Sequence, residues 1–162
     1  MPIKGFLTIP NIPGESKDAN HPDAIDVHGL EWGVTRKVKG ARAGRPKGRA
    51  MVSPLEVHKF YDAASPYLAL AVMQGKAFDQ IVLKVHHATS GRSHLDYLKI
   101  TMTNCTLKTY HMFNDGQDDP LEVISERVEI SFENIGILYI ETDGNNNAGT
   151  EHEIEFDITA GV

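Results

Sequence analysis

Four stretches of this chain alternate apolar and polar residues with a period of two. Ile81, Leu83 and Val85 alternate with Val82, Lys84 and His86, and Leu98, Ile100 and Met102 alternate with Lys99, Thr101 and Thr103. Val128, Ile130 and Phe132 alternate with Glu129, Ser131 and Glu133, and Ile154, Phe156 and Ile158 alternate with Glu153, Glu155 and Asp157. Successive side chains of a strand point to opposite faces, so each stretch reads as a strand with one face on a core. Turn residues at Gly91-Arg92, Asn114-Asp115-Gly116 and Asp143-Gly144-Asn145 separate them. Further strands are expected over 4–9, 24–38 and 51–61. Pro54 must lie at the start or on an edge of the last, because proline cannot donate to a ladder. Neither face of 24–38 is cleanly apolar, which suggests a bulge near Gly29.

One segment breaks the pattern. Ser65 can accept from free helix N–H groups, and Pro66 suits a first helical position where no donor is needed. A short helix to about Gln74 follows, with Gly75 as a left-handed stop. Tyr67, Leu68, Leu70, Val72 and Met73 make it largely apolar, so it should pack on the sheet. Many strands, frequent turns and one helix predict a mainly β fold: an antiparallel two-sheet β-barrel with one short flanking α-helix. The 162 residues are expected to form a single domain over 1–162.

The chain is 41% hydrophobic and 23% charged, ordinary values for a globular protein. No apolar run approaches the roughly 18 residues that would cross a bilayer. Met1-Pro2-Ile3-Lys4 lacks the charged-then-apolar start of a signal region, so synthesis in the cytoplasm is expected. The single cysteine, Cys105, excludes an internal disulfide and reads as a half-buried strand residue. The net charge of -6 conceals a partition. Residues 36–49 hold seven basic residues and no acid, against nine bases and 22 acids elsewhere. Thirteen of those acids follow Phe113, with Arg127 the one base among them. Opposite charge blocks on one chain suggest surfaces that attract one another between copies. The basic block forms an extended loop at about 37–50, made irregular by Gly40, Gly44, Pro46 and Gly48.

Residues that could suggest chemistry do not assemble into it. His86 and His87 are adjacent on a strand and point apart, and the spacing of His21, His28, His58, His94, His111 and His152 matches no zinc pattern. Ser93-His94 with Asp96 lacks the surroundings of a nucleophile elbow. The Asp115, Asp118 and Asp119 turn lacks the alternating ligands of a calcium loop. The glycines of the basic loop precede no Lys-Ser or Lys-Thr, so no phosphate cradle is indicated. Gly44-Arg45-Pro46-Lys47-Gly48-Arg49 approaches a minor-groove DNA hook, but Ala43 replaces its leading arginine and the acidic remainder would repel a duplex. No catalytic residue, metal, cofactor, nucleic acid or membrane insertion is expected.

An ordered set of motifs is more specific. Gly14-Glu15-Ser16-Lys17-Asp18 is followed by His21, Ile25-Asp26-Val27, Trp32-Gly33 and Phe60 through Asp62. Ser65-Pro66, Leu68, Ala71, Gly75-Lys76, Asp96-Tyr97-Leu98 and Glu129-Ile130-Ser131-Phe132 with Ile135 complete it. This set resembles the haemolysin-coregulated protein family, the tube subunits of type VI secretion, over nearly the whole chain. The heavily basic loop departs from the glycine-rich, sparsely charged loop frequent in that family. The resemblance implies a non-enzymatic subunit of the secretion inner tube. It implies homohexameric rings that stack, are expelled by sheath contraction and carry effectors in the lumen. Its partners would be other copies of itself, a spike protein, the contractile sheath and effectors. It would be cytoplasmic when assembled, then secreted without a signal peptide. A phage-tail-tube-like structural or adaptor protein is the alternative. Within this reading Lys39, Arg42, Arg45, Lys47 and Arg49 are the expected ring-stacking residues. Glu31, facing opposite to Trp32 on its strand, is the expected lumen or effector contact.

Overall fold

The computed structural model describes residues 3–37, 49–87, 95–116, 122–145 and 147–162. In chain order its elements are β1 (Lys4–Thr8), β2 (Ile25–Val27), β3 (Gly29–Glu31), β4 (Val34–Arg36), β5 (Ala50–Val52) and β6 (Leu55–Phe60). Then come α1 (Ser65–Gln74), β7 (Ala77–His86), β8 (Asp96–Phe113), β9 (Ser125–Thr142) and β10 (Ala148–Asp157). The fold is mainly β, as expected. One sheet runs β2-β1-β7-β8-β9-β6-β3 with β10 also on β9, and β4 with β5 makes a separate ribbon.

The two ends of that strand order belong to one chain segment. β2 pairs with β1, and β3, only one residue later, pairs with β6. His28 bridges the change: its carbonyl accepts from Ile3 N–H at 3.0 Å and its N–H donates to the His58 carbonyl at 2.9 Å. The sheet therefore closes on itself. A Cβ at Gly29 would lie 2.9 Å from His58 Nδ1, so glycine at this crossing leaves room for the His58 ring. The single strand expected over 24–38 is thus three strands, because the segment changes partner at His28 and leaves the barrel after Glu31. β8 and β9 form the spine. The first half of β9 pairs with β6, its second half with β10, and β8 lies alongside throughout.

The alternating runs on β7, β8 and the first half of β9 point inward as their period demands, whereas the run on β10 does not: Ile154 is 62% exposed, because β10 lies along the second half of β9. Leu7, Ile25, Leu55, Val57, Ile81, Leu83, Met102 and Ile130 are fully buried. Cys105 is also fully buried rather than half-buried, and desolvation pushes its thiol up to about 11. The loop after β1 folds back along β2: Gly14 N–H donates to Asp23 O at 2.8 Å and Ser16 N–H to Ala24 O at 3.0 Å. A Cβ on Gly14 would meet Ala24 O at 2.5 Å, which explains the glycine that opens the Gly14–Asp18 motif.

The helix has the expected bounds and ends on Gly75 at φ 62°. Leu68 and Ala71 bury against the sheet. Ser65 does not act as the expected cap. Ala64 stands before the helix with no side-chain cap bond, and the Ser65 hydroxyl instead accepts from Asp62 N–H at 2.9 Å. That hydroxyl is held by a buried ionic cluster.

Candidate functional site

In sequence the basic segment joins β4 to β5, which pair as a ribbon. Trp32 Nε1 donates to Ser53 O at 2.9 Å and Gly33 N–H to Ser53 Oγ at 3.0 Å, clamping the ribbon's base. The ribbon register is Val34↔Val52, Thr35↔Met51 and Arg36↔Ala50. Arg36, Lys37 and Arg49 are exposed at its far end. Lys39, Arg42, Arg45 and Lys47 lie outside the described residues, so of the five expected stacking residues only Arg49 is described.

Acidic groups form two surfaces. Glu151, Glu153, Glu155 and Asp157 alternate along β10 and share one face. Most of β10 is exposed, and among the described residues it pairs with β9 alone. Charges on such an edge keep its unpaired backbone from indiscriminate pairing. The second surface contains Glu31. Glu31 pairs directly with Glu56, and Glu56 with Glu129, so three carboxylates stand in a row across β3, β6 and β9. Like charges directly opposite repel, so the row concentrates negative potential. His58 Nε2 sits 3.0 Å from Glu56 Oε2, and this bond holds the Glu56 carboxyl below its ordinary value. Thr109 Oγ1 donates to Glu129 Oε1 at 2.9 Å. The row edges a groove of about 770 Å³, which Trp32, Met51 and Arg127 also line. Glu31 is exposed while Trp32 packs on the core, in line with their opposite parity.

A third surface is apolar. Tyr67, Leu70 and Met73 recur every three residues on the helix, at 57%, 44% and 75% exposure. They form an apolar stripe on the side away from Leu68 and Ala71.

Among the described residues two polar clusters are buried. Lys59 and Glu126 occupy inward positions of β6 and β9 and are direct cross-strand partners. Lys59 Nζ lies 2.5 Å from Glu126 Oε1, and also donates to Asp62 Oδ1 at 3.0 Å, Ser65 Oγ at 3.1 Å and Phe60 O at 2.9 Å. Ser65 Oγ donates to Glu126 Oε1 at 2.8 Å, and the Tyr110 hydroxyl donates to Glu126 Oε2. Burial, then the Glu126 carboxylate, push the Tyr110 phenol well above its ordinary value. Sequence reasoning missed this cluster, although parity signals it: Lys59 follows Leu55 and Val57, and Glu126 precedes Val128 and Ile130.

The second buried cluster is built on His21. Its Nδ1 lies 3.0 Å from Asp18 Oδ1 and its Nε2 lies 2.9 Å from Asp96 Oδ2. The ring stacks on Phe6 at 4.1 Å. His86 lies beside it, with Nδ1 3.8 Å from Asp96 Oδ1. Burial, aided by Lys4, holds His86 below the ordinary imidazole value. His87 points the other way and stacks on Tyr97 at 4.2 Å, as adjacent strand residues should. Asp96 is engaged with His21, and Ser93 and His94 lie outside the described residues.

Comparison with known proteins gives a consistent result. Residues 6–139 match the family model described as "Type VI secretion system effector, Hcp". The chain is 28% identical over 154 residues to protein hcp1 of Pseudomonas aeruginosa, covering 92% of this chain and 91% of that protein. It resembles the crystal structure of Hcp1 from Salmonella typhimurium with a TM-score of 0.79 and 27% identity, covering 99% of this chain and 98% of that one. A further structure, described as a type six secretion system protein, shares the fold with a TM-score of 0.88 at 22% identity, covering 99% of this chain and 98% of that one.

Proposed function

This chain belongs to the Hcp family of type VI secretion tube proteins, and from that premise we propose that it assembles as hexameric rings that stack through opposite charge. The tube so built lies within a contractile sheath, carries effectors in its lumen and is expelled with its spike when the sheath contracts. The observation that supports the stacking mode is the charge partition. Seven bases fall within residues 36–49, of which Arg36, Lys37 and Arg49 are described at the far end of the β4–β5 ribbon, while Glu151, Glu153, Glu155 and Asp157 line the exposed edge strand β10. Lys39, Arg42, Arg45, Lys47 and Arg49 of one copy dock on that acidic stripe of a copy in the adjoining ring. Contacts of this kind between exposed charges weaken as salt screens them. The apolar helix stripe serves the contact within a ring, where a repeated head-to-tail interface closes on itself. Glu31, at the end of its carboxylate row, is the lumen contact for effectors.

Native mass spectrometry with negative-stain imaging tests this at low and high salt. Six-membered rings whose stacks dissolve as salt rises are expected. Neutralising the five basic residues to Gln should leave rings but no stacks. Stacking that is unchanged in that variant, or insensitive to salt, rejects the charge mechanism, and a monomer under all conditions rejects ring assembly. Rings carrying Glu31→Arg should lose co-purifying effectors, and undiminished retention removes Glu31 from that role.

A further inference from the structure

The cluster around His21 is more than a structural clasp. Asp18, His21 and His86 each bring one donor atom within 4.8 Å of the others. Asp96 adjoins this group from the other side of the His21 ring, 2.9 Å from His21 Nε2 and 3.8 Å from His86 Nδ1. His86 Nδ1 and Asp96 Oδ1 are both buried, and neither makes a hydrogen bond among the described residues. The His86 side chain is 7% exposed, so its nitrogen has little access to bulk water. Buried polar atoms are rarely left unmet, and an unmet imidazole nitrogen beside an unmet carboxylate oxygen suits a cation shared between them.

We propose that His21, His86, Asp18 and Asp96 form a binding site for one divalent transition-metal ion of the zinc or cobalt type. Imidazole nitrogen with carboxylate oxygen is a donor set for such ions, whereas calcium and magnesium favour all-oxygen shells. Two ligands each about 2.0–2.2 Å from a common ion stand roughly 3–4 Å apart, which the His86–Asp96 spacing matches. The His21 ring is suited to either orientation. Its two nitrogens face two different carboxylates, so whichever takes the ion, the other keeps an acceptor that orients the ring. Phe6 forms an apolar floor, stacked on His21 and 5.0 Å from the centre of the His86 ring. Asp18 and Asp96, 12% and 24% exposed, give the ion a route in. The ion pairs of His21 alone leave His86 Nδ1 without a role. A shared ion gives it one, and ties the 14–24 loop to the ends of β7 and β8.

The test is Co²⁺ titration of the whole, untagged, chelator-stripped chain, followed by visible d–d absorption with Zn²⁺ as competitor. Binding of one Co²⁺ per chain and displacement by Zn²⁺ are expected. His86→Ala and Asp96→Asn should each weaken binding by about ten-fold or more. His58→Ala, in the separate Glu31–Glu56–His58 group, should leave it unchanged. Circular dichroism checks each fold, and the near-isosteric Asp96→Asn keeps the test decisive if His86→Ala does not fold. Lack of a Co²⁺ band overturns the site, as does a band that survives in folded Asp96→Asn or depends on His58.

Discussion

Lys59 and Glu126 show how much one pair of residues can hold together. The pair links β6 to β9, and through Ser65 and Asp62 it fixes the start of the helix. Both side chains are fully buried, so removing one leaves the other charge desolvated without its partner. Lys59→Ala should therefore destabilise the fold by about 3–5 kcal/mol, read from the midpoint of denaturant unfolding. Lys59→Met combined with Glu126→Leu should recover most of that loss, because a buried pair exchanged for apolar groups leaves no orphan charge. A double variant as unstable as the sum of the two single ones would show that the polar cluster stabilises beyond its pairing.

Among the elements, the helix is the one whose two sides do different work. Leu68 and Ala71 anchor it to the barrel, while Tyr67, Leu70 and Met73 face outward. Changes on an exposed helix face usually alter stability by less than about 0.5 kcal/mol. Leu70→Glu with Met73→Glu should leave the melting temperature of the monomer nearly unchanged and abolish ring formation in native mass spectrometry. Rings that persist would move the intra-ring contact elsewhere, with the exposed Tyr139 and Ile154 of β9 and β10 as the next apolar candidates.

For the whole molecule, closure of the barrel rests on the seam at His28. Its ring packs on Phe60 at 4.3 Å, and Nε2 is buried without a hydrogen bond among the described residues. Burial first, then the neighbouring His58, hold His28 below its ordinary 6.5. The unfolded chain thus takes up this proton more readily than the folded one. Stability should fall as pH drops below 6.5, and stop falling on this account once the lower folded value is passed. Denaturant titrations across that range should show the slope, and His28→Gln should flatten it. An unchanged slope in the variant would place the acid sensitivity in other groups.

The period-two runs, the Ser65-Pro66 start and the Gly75 stop settle in sequence that the chain makes long antiparallel strands and one helix, because burial parity and backbone sterics act locally. The ordered motifs identify the family for the same reason: each marks a local constraint, such as the space missing at Gly14. Charge partition, too, is plain in composition. What the sequence leaves open depends on contacts between distant residues. The change of partner at His28 is a property of β1 and β6 together, and no local period reports it. Lys59 meets Glu126 across 67 positions, and His21 meets Asp96 across 75. Histidine spacing along the chain therefore argued against any ion site, whereas the fold gathers His21, His86, Asp18 and Asp96 from a loop and two strand ends. Tertiary structure decides which buried charges find partners, since desolvation penalises them singly and only the closed barrel brings them together.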